Sequence, residues 1–290
     1  RLFLQKGVLV EIQELFEGEV EIPTLPEVYY DFKEAMEDPD GSFDEISEII
    51  SIDTGLSIRL LKIVNSAFYA FPSQVETISH AISVIGLEQL NNLVLSTVVM
   101  DRFKNIPDSV INMESFWKHS IACGLAARTI ASLRKEVNAE RFFVAGMLHD
   151  IGRLVLAMSA PFSILSVFMR CKAEEISLHD AEKSILGFSH TDVGQLLLKN
   201  WKLPAFHQNV VGNHHQSGSS IDLESGILNI ADHIANDLKL GDSGEGLSPP
   251  PLDLELWEKL QLPEDTNIEE IKAEVEQLYN ATSQVFLQAA

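Results

Sequence analysis

A chain of 290 residues, 46% of them apolar, is long enough to bury a sizeable core as one large domain or two small ones. Its net charge of −22 and isoelectric point near 4.7 argue against nucleic acid or an anionic membrane surface as partners, because both demand clustered Lys and Arg. They leave open a small anionic ligand held locally by a metal or a single Arg.

The two cysteines, Cys123 and Cys171, form no CxxC pair and read as small core residues, which fits a reducing, cytoplasmic setting. The opening RLFLQKG is too short and too weakly patterned for a signal peptide. No run approaches the roughly 18 apolar residues of a membrane-spanning helix.

In chain order the pattern predicts helices with short breaks. Val8 to Phe16 is apolar at helical spacing, and the Pro-punctuated EIPTLPEV leads into a helix running from Pro26 towards Glu37. DPDGS, Asp38 to Ser42, is a turn. Ser42 with Glu45 forms a capping-box pattern for Phe43 to Ile52, and Asp53 and Gly55 break that helix before Leu56 to Val64. Ser79 to Ile85 ends at Gly86. Leu87 to Phe103 is too long and too unalternating for a strand and is expected as a buried helix. Ile106 to Asn112 is the expected internal boundary.

Further helices are expected over Met113–Lys135, Ala139–Met158, Pro161–Cys171, Leu178–Leu186, Thr191–Trp201, Pro204–Asn213 and Asp222–Lys239. GDSGEGLSPPP, Gly241 to Pro251, reads as a linker. An acidic amphipathic segment, Ile268 to Leu287, closes the chain as a solvated or partner-docking helix. The expected class is all-α, a multi-helix bundle. Residues 1–110 make an N-terminal helical subdomain, 111–240 a metal-binding helical subdomain, and 241–290 a linker with a helical extension.

The chemistry concentrates in AGMLHDIGRLVL, where His149 and Asp150 stand side by side in an apolar run. Adjacent helical residues point about 100° apart, so both face one object only if it lies between them. A metal ion is such an object; a hydrogen-bonded core histidine beside an exposed Asp is the plain alternative. His119 in FWKHSIACGLAAR, His190 in LGFSHTDVG, His214 and His215 in VVGNHHQSG, and Asp232 in ILNIADHIAND also occupy apolar settings. Left unsatisfied, each buried polar group costs about 1–3 kcal/mol, and one shared metal centre satisfies most of them together. Mixed His/carboxylate sets suit Fe, Mn, Zn and similar ions, and a metal pair suits phosphoester hydrolysis.

The order His119, His149-Asp150, Asp232 resembles the HD superfamily of metal-dependent phosphohydrolases. The segments IPTLPEV, ISIDTGLSIRLLKIVNSAFYAFP, VETISHAISVIGLEQLNNLVLS, FWKHSIACGLAAR, AGMLHDIGRLVL, GFSHTDVGQLLLKNWKLP and NHHQ, in that order, look like the HDOD domain of bacterial signalling proteins over about residues 20 to 240. That domain is similar to HD-GYP, which hydrolyses cyclic di-GMP at a two- or three-metal site. The resemblance implies ligand positions at His119, His149, Asp150, His190, His214, His215 and Asp232, and a divalent ion, Fe or Mn, one or two per chain.

Three departures stand against hydrolysis. Ser115 replaces the Glu that precedes the first His in three-metal relatives. Arg153 replaces a phosphate-holding Lys, and reads as a surface cation near the helix end or as a phosphate contact. Gln216 to Ser220 replaces the GYP stretch. The resemblance therefore implies a regulatory module with a dinuclear HD-type site and a signalling protein as partner, with a metal-dependent phosphohydrolase acting on a nucleotide or cyclic nucleotide as the alternative. A small phosphorylated ligand fits either reading. His80, His179, His207 and His233 are expected to be structural or exposed. His207 lies about 10 Å, two turns, from His214 and is too far to share its ion. Trp117 and Trp201 are expected as core anchors, and Asn65 as part of a structural turn.

Overall fold

The computed structural model describes residues 12–17, 22–103, 106–216, 218, 221–244 and 252–289. Every regular element among them is a helix: α1 Glu14–Glu17, α2 Glu27–Glu37, α3 Phe43–Ile52, α4 Thr54–Val64, α5 Ile78–Ile85, α6 Leu87–Arg102, α7 Met113–Leu133, α8 Glu140–Leu148, α9 Ile151–Ser159, α10 Pro161–Glu174, α11 Leu178–Leu186, α12 His190–Asn200, α13 Ala205–Asn213, α14 Leu223–Asp237, α15 Leu254–Lys259 and α16 Ile268–Ala289. The start of the expected Val8–Phe16 helix, Glu21, most of Gln216–Ser220 and the 245–251 part of the expected linker lie outside the described residues.

Local chemistry sets the starts and stops. Ser42 Oγ accepts from Glu45 N at 3.1 Å to cap α3, and Asp53 Oδ1 accepts from Leu56 N at 2.9 Å to cap α4. Asp53 is thus a helix start, and Gly55, expected as a breaker, lies inside α4. Gly86, at φ 86, ends α5 and begins α6. Asn65 closes the turn after α4: its amide donates to the carbonyls of Leu61 and Val75 and accepts from Val75 N, each at 2.8 Å. That is a structural role, as expected.

One contiguous apolar core runs from Leu15 to Phe286. α7 lies at its centre, packed on α8, α14 and α16. Trp117 and Trp201 are buried in it, and Trp201 Nε1 donates to Pro23 O at 3.0 Å. The acidic tail is not a solvated face: Ile271, Val275, Tyr279 and Phe286 of α16 are buried against α7 and α4. Its acidic residues lie on the opposite side, so the amphipathic pattern marks an inward-facing stripe. A stretch long and apolar enough to span a membrane, Glu140–Ser159, is 89% buried inside this core. A sharply bent pair, Ile78–Ile85 with Leu87–Arg102, passes the same test only if taken as one span. Cys123 and Cys171 are buried free thiols.

The helix expected over Ala139–Met158 is two helices. The chain leaves α8 at His149, still helical at φ −56, and turns at Asp150, φ −98 and ψ 8, before α9 begins. The turn falls in the bridge region of backbone space, where a helix is interrupted without strain large enough to unfold it. Close packing holds the break in place. A Cβ on Gly152 would stand 2.0 Å from His190 O, so only a glycine lets α9 approach the start of α12 this closely. Gly152→Ala is expected to push α12 away and lower stability by about 1–3 kcal/mol, the usual cost of overpacking. The urea midpoint measures this, and an unchanged midpoint would show that the approach is slack.

Candidate metal centre

Five pieces of chain meet at the break. α7 brings His119; the α8–α9 junction brings His149 and Asp150; the first residue of α12 is His190; His214 and His215 follow α13; α14 brings Asp232. All seven residues implied by the resemblance are therefore gathered at one place. His119, His149, His190 and His214 are fully buried, Asp150 is 1% exposed, and Asp232 is 8% exposed.

A third group joins Cys123, His149 and Asp232, while two groups share Asp150. In one, ligand atoms of His119, His149 and Asp150 lie within 4.8 Å of one another; in the other, those of Asp150, His190, His214 and His215 do. His119 Nε2 is 3.0 Å from Asp232 Oδ1 and 3.3 Å from His149 Nε2, which brings Asp232 to the first group. Asp150 faces both ways. Its Oδ2 is 3.1 Å from His149 Nε2, and its Oδ1 is 3.2 Å from His190 Nε2 and 4.0 Å from His214 Nε2.

The outer hydrogen bonds fix which nitrogen points inward. His149 Nδ1 donates to Gly146 O at 2.7 Å and His214 Nδ1 to Val211 O at 2.8 Å. His190 Nδ1 donates to Glu182 Oε2 at 2.6 Å, and the same oxygen accepts from His190 N at 2.8 Å. Each ring thereby turns Nε2 towards the centre, the nitrogen an imidazole offers to a metal once it carries no proton. His214 Nε2, His215 Nε2 and Asp150 Oδ1 are buried and make no hydrogen bond within the protein. Inward-facing lone pairs that would otherwise be orphaned fit a cation.

Electrostatics agree with that demand. Burial opposes ionisation of Asp150, yet Arg153 and His149 hold its carboxyl well below the usual range. Burial likewise opposes Asp232, which hydrogen bonds from His119 and His149 hold ionised. Burial, with the neighbouring histidines, pushes His214 down to about 3. Burial and the Arg153 guanidinium keep His190 neutral. His149 goes the other way: burial disfavours its charged form, but the Asp150 carboxylate overcomes this and raises it well above its ordinary value. A proton on His149 is the charge an ion would replace.

Arg153 is not a surface cation. It is 1% exposed, with Nη1 at 2.9 Å from Asp150 Oδ2 and Nη2 at 3.5 Å from His190 Nε2. Its helix is amphipathic, but its side chain runs back one turn onto Asp150, a direction spacing alone does not reveal. Over it lies a strap, Gly241–Gly244. Asp242 N donates to Ser115 O at 3.1 Å, and Ser243, 1% exposed, accepts from Arg153 through Oγ and the backbone carbonyl. These first four residues of the expected linker are part of the site's wall.

One further residue escaped the sequence reading. Glu182, fully buried on α11, holds His190; burial pushes its carboxyl up to about 7, against the pull of Arg153. Only its position eight residues before His190 connects the two, and no motif marks it. His179, expected to be structural or exposed, lies with its ring centroid 5.0 Å from that of His215. His207 is buried apart from the cluster beside Phe206, while His80 is exposed and His233 half-buried. Glu182→Gln should weaken metal affinity about 10–100-fold, the usual cost of losing a carboxylate behind a ligand histidine. Calorimetric titration with Mn(II) would check this, and an unchanged affinity would remove His190 from the ligand set.

The chain has clear relatives. The HDOD domain pattern matches residues 22–217. An uncharacterized protein of Treponema pallidum (strain Nichols) is 26% identical over 196 residues, 67% of this chain and 38% of that protein. The chain thus matches well under half the length of this curated relative. The crystal structure of an HDOD domain protein with unknown function from Geobacter sulfurreducens superposes with a TM-score of 0.74 at 25% identity, covering 92% of this chain and 96% of that one. A protein of Shewanella amazonensis SB2B, described as a candidate phosphohydrolase, shares the fold with a TM-score of 0.73 at 21% identity, covering 96% and 97%. With the domain pattern spanning most of its length and the ordered histidines and aspartates in place, this chain belongs to the HDOD family.

Proposed function

We propose that this protein is a bacterial, cytoplasmic signalling module in which a buried HD-type centre holds a divalent ion, Fe or Mn, and sets the conformation offered to a protein partner. One observation carries the reading: the donor set is complete but largely enclosed. A hydrolytic centre must leave a face open to water and substrate. Here the strap seats Ser243 on Arg153, the group that would meet a phosphate, and six of the seven donor residues are buried, His215 being half-buried.

The chain's own residues do the positioning. Gly146 O, Val211 O and Glu182 orient three imidazoles, and Asp150 ties the two donor groups together. The set fits a hard or borderline ion, since it offers imidazole nitrogen and carboxylate oxygen. When bound, such an ion polarises a phosphoryl oxygen and lowers the pKa of water, and the completeness of the set favours a phosphohydrolase as the second reading. In that reading the strap must leave Arg153, which then holds the phosphate of a nucleotide or cyclic nucleotide.

Asp150→Ala separates the two. With Mn(II) in about hundredfold excess over its Kd, the wild type should gain roughly 2.7 kcal/mol of stability, read as a rise in Tm of several degrees, and the variant should gain none. Neither protein should cleave an aryl phosphodiester. Turnover by the wild type that Asp150→Ala abolishes while the fold persists would establish the enzyme instead.

A further inference from the structure

The two buried thiols sit in different chemistry. Cys171 belongs to the small core shared by α10 and α11, and its Sγ donates to Ile176 O at 3.0 Å, the ordinary way a core thiol satisfies its proton. Cys123, fully buried on α7, makes no hydrogen bond to the backbone among the described residues. It faces the His149 side chain instead.

The backbone puts it there. Cys123 follows His119 by four residues, so the two share one face of α7, a turn apart. The next residue is Gly124, and α8 crosses it at Gly146. A Cβ on Gly146 would stand 2.5 Å from Gly124 N and 2.7 Å from Cys123 C, so the helices lie this close only because that Cβ is missing. Three residues after Gly146 comes His149, and α14, also packed on α7, brings Asp232. Cys123 Sγ, a His149 ring nitrogen and an Asp232 oxygen thus all lie within 4.8 Å of one another. His149 Nε2 and Asp232 Oδ1 are 3.5 Å apart. Around one tetrahedral ion, sulfur at about 2.3 Å and nitrogen or oxygen at about 2.0–2.2 Å stand roughly 3.3–3.7 Å from one another. A shift of about an ångström closes the group on an ion.

We propose that Cys123 is a sulfur ligand on the His149–Asp232 side of the centre, and that it turns the centre towards thiophilic ions, Fe(II) rather than Mn(II). This rests on the metal reading above and adds to it a donor outside the seven histidines and aspartates. The thiol binds as thiolate: its proton leaves to solvent as the sulfur–metal bond forms, and nothing is oxidised. Carboxylate oxygen suits Mn(II) well, whereas a soft thiolate favours Fe(II), Co(II) and Zn(II) over it. One sulfur at the edge of a nitrogen and oxygen set therefore shifts the choice of metal without changing the rest of the cluster.

The probe is Co(II), whose visible bands report uptake and whose near-ultraviolet charge-transfer band reports bound sulfur. Chelator-stripped, untagged full-length protein is titrated with it. The wild type and Cys171→Ser should both show the charge-transfer band. Cys123→Ser and Cys123→Ala should keep the visible bands and lose the charge-transfer band. Cys123→Ala should also lower Co(II) affinity by about tenfold or more, and Mn(II) affinity by less. A wild type that takes up Co(II) without the charge-transfer band would overturn the proposal and leave the metal reading standing. So would a band that survives in a folded Cys123 variant, or equal losses of affinity for the two ions. If neither Cys123 variant folds, Cys171→Ser decides alone, because the chain has two cysteines and a band in that protein comes from Cys123. No uptake of Co(II) or Mn(II) by the wild type would overturn the metal reading and the proposal with it.

Discussion

The Asp150 carboxylate is the constraint around which the rest of the protein is arranged. A negative charge at 1% exposure in an all-helical core is untenable without partners on every side. Those partners come from α7, the α8–α9 junction, α9 itself, α12 and the end of α13. Meeting them requires the helix to break at Asp150, requires α9 to approach α12 closely at Gly152, and requires the strap to close over Arg153. In the proposed reading, the metal centre is also the knot that ties these elements together, and filling or emptying it changes how firmly they hold one another.

That arrangement suits control better than turnover. The ligand helix α7 carries α16 on another face, so the C-terminal helix and the centre share one support. The α10–α11 hairpin has a small core of its own, Val167, Cys171, Leu178 and Ala181, and carries Glu182 to His190. A substrate reaching the same atoms would have to displace Ser243 and compete with Asp150 for Arg153.

Much of this was legible in the sequence because it follows from periodicity and residue type. Leu87 to Phe103 read as a buried helix, and Leu90 to Met100 is buried on nearly every face. The seven histidines and aspartates stood out because apolar neighbours make polar residues conspicuous, and all seven converge. The break within Ala139–Met158 was not legible, since AGMLHDIGRLVL has no proline or strong breaker at Asp150; tertiary contacts at Gly152 and Arg153 impose it. Arg153 misled for a related reason. An Arg near a helix end is usually solvated, and only the strap, 90 residues away in sequence, encloses it. Glu182 was silent because a glutamate on an amphipathic helix is ordinarily a surface residue. The acidic tail looked solvated because its first turns are rich in Glu, although Ile271, Val275, Tyr279 and Phe286 form an inward stripe.

The most direct test is to locate the ion by anomalous scattering from crystals of the Mn(II)-loaded protein, with data on both sides of the metal absorption edge. A peak enclosed by the seven-residue cluster, in contact with Asp150, is the expected result. A fully loaded crystal whose anomalous peaks all lie outside the seven-residue cluster would contradict it, and His149 and Asp150 would then be a buried ion pair and nothing more.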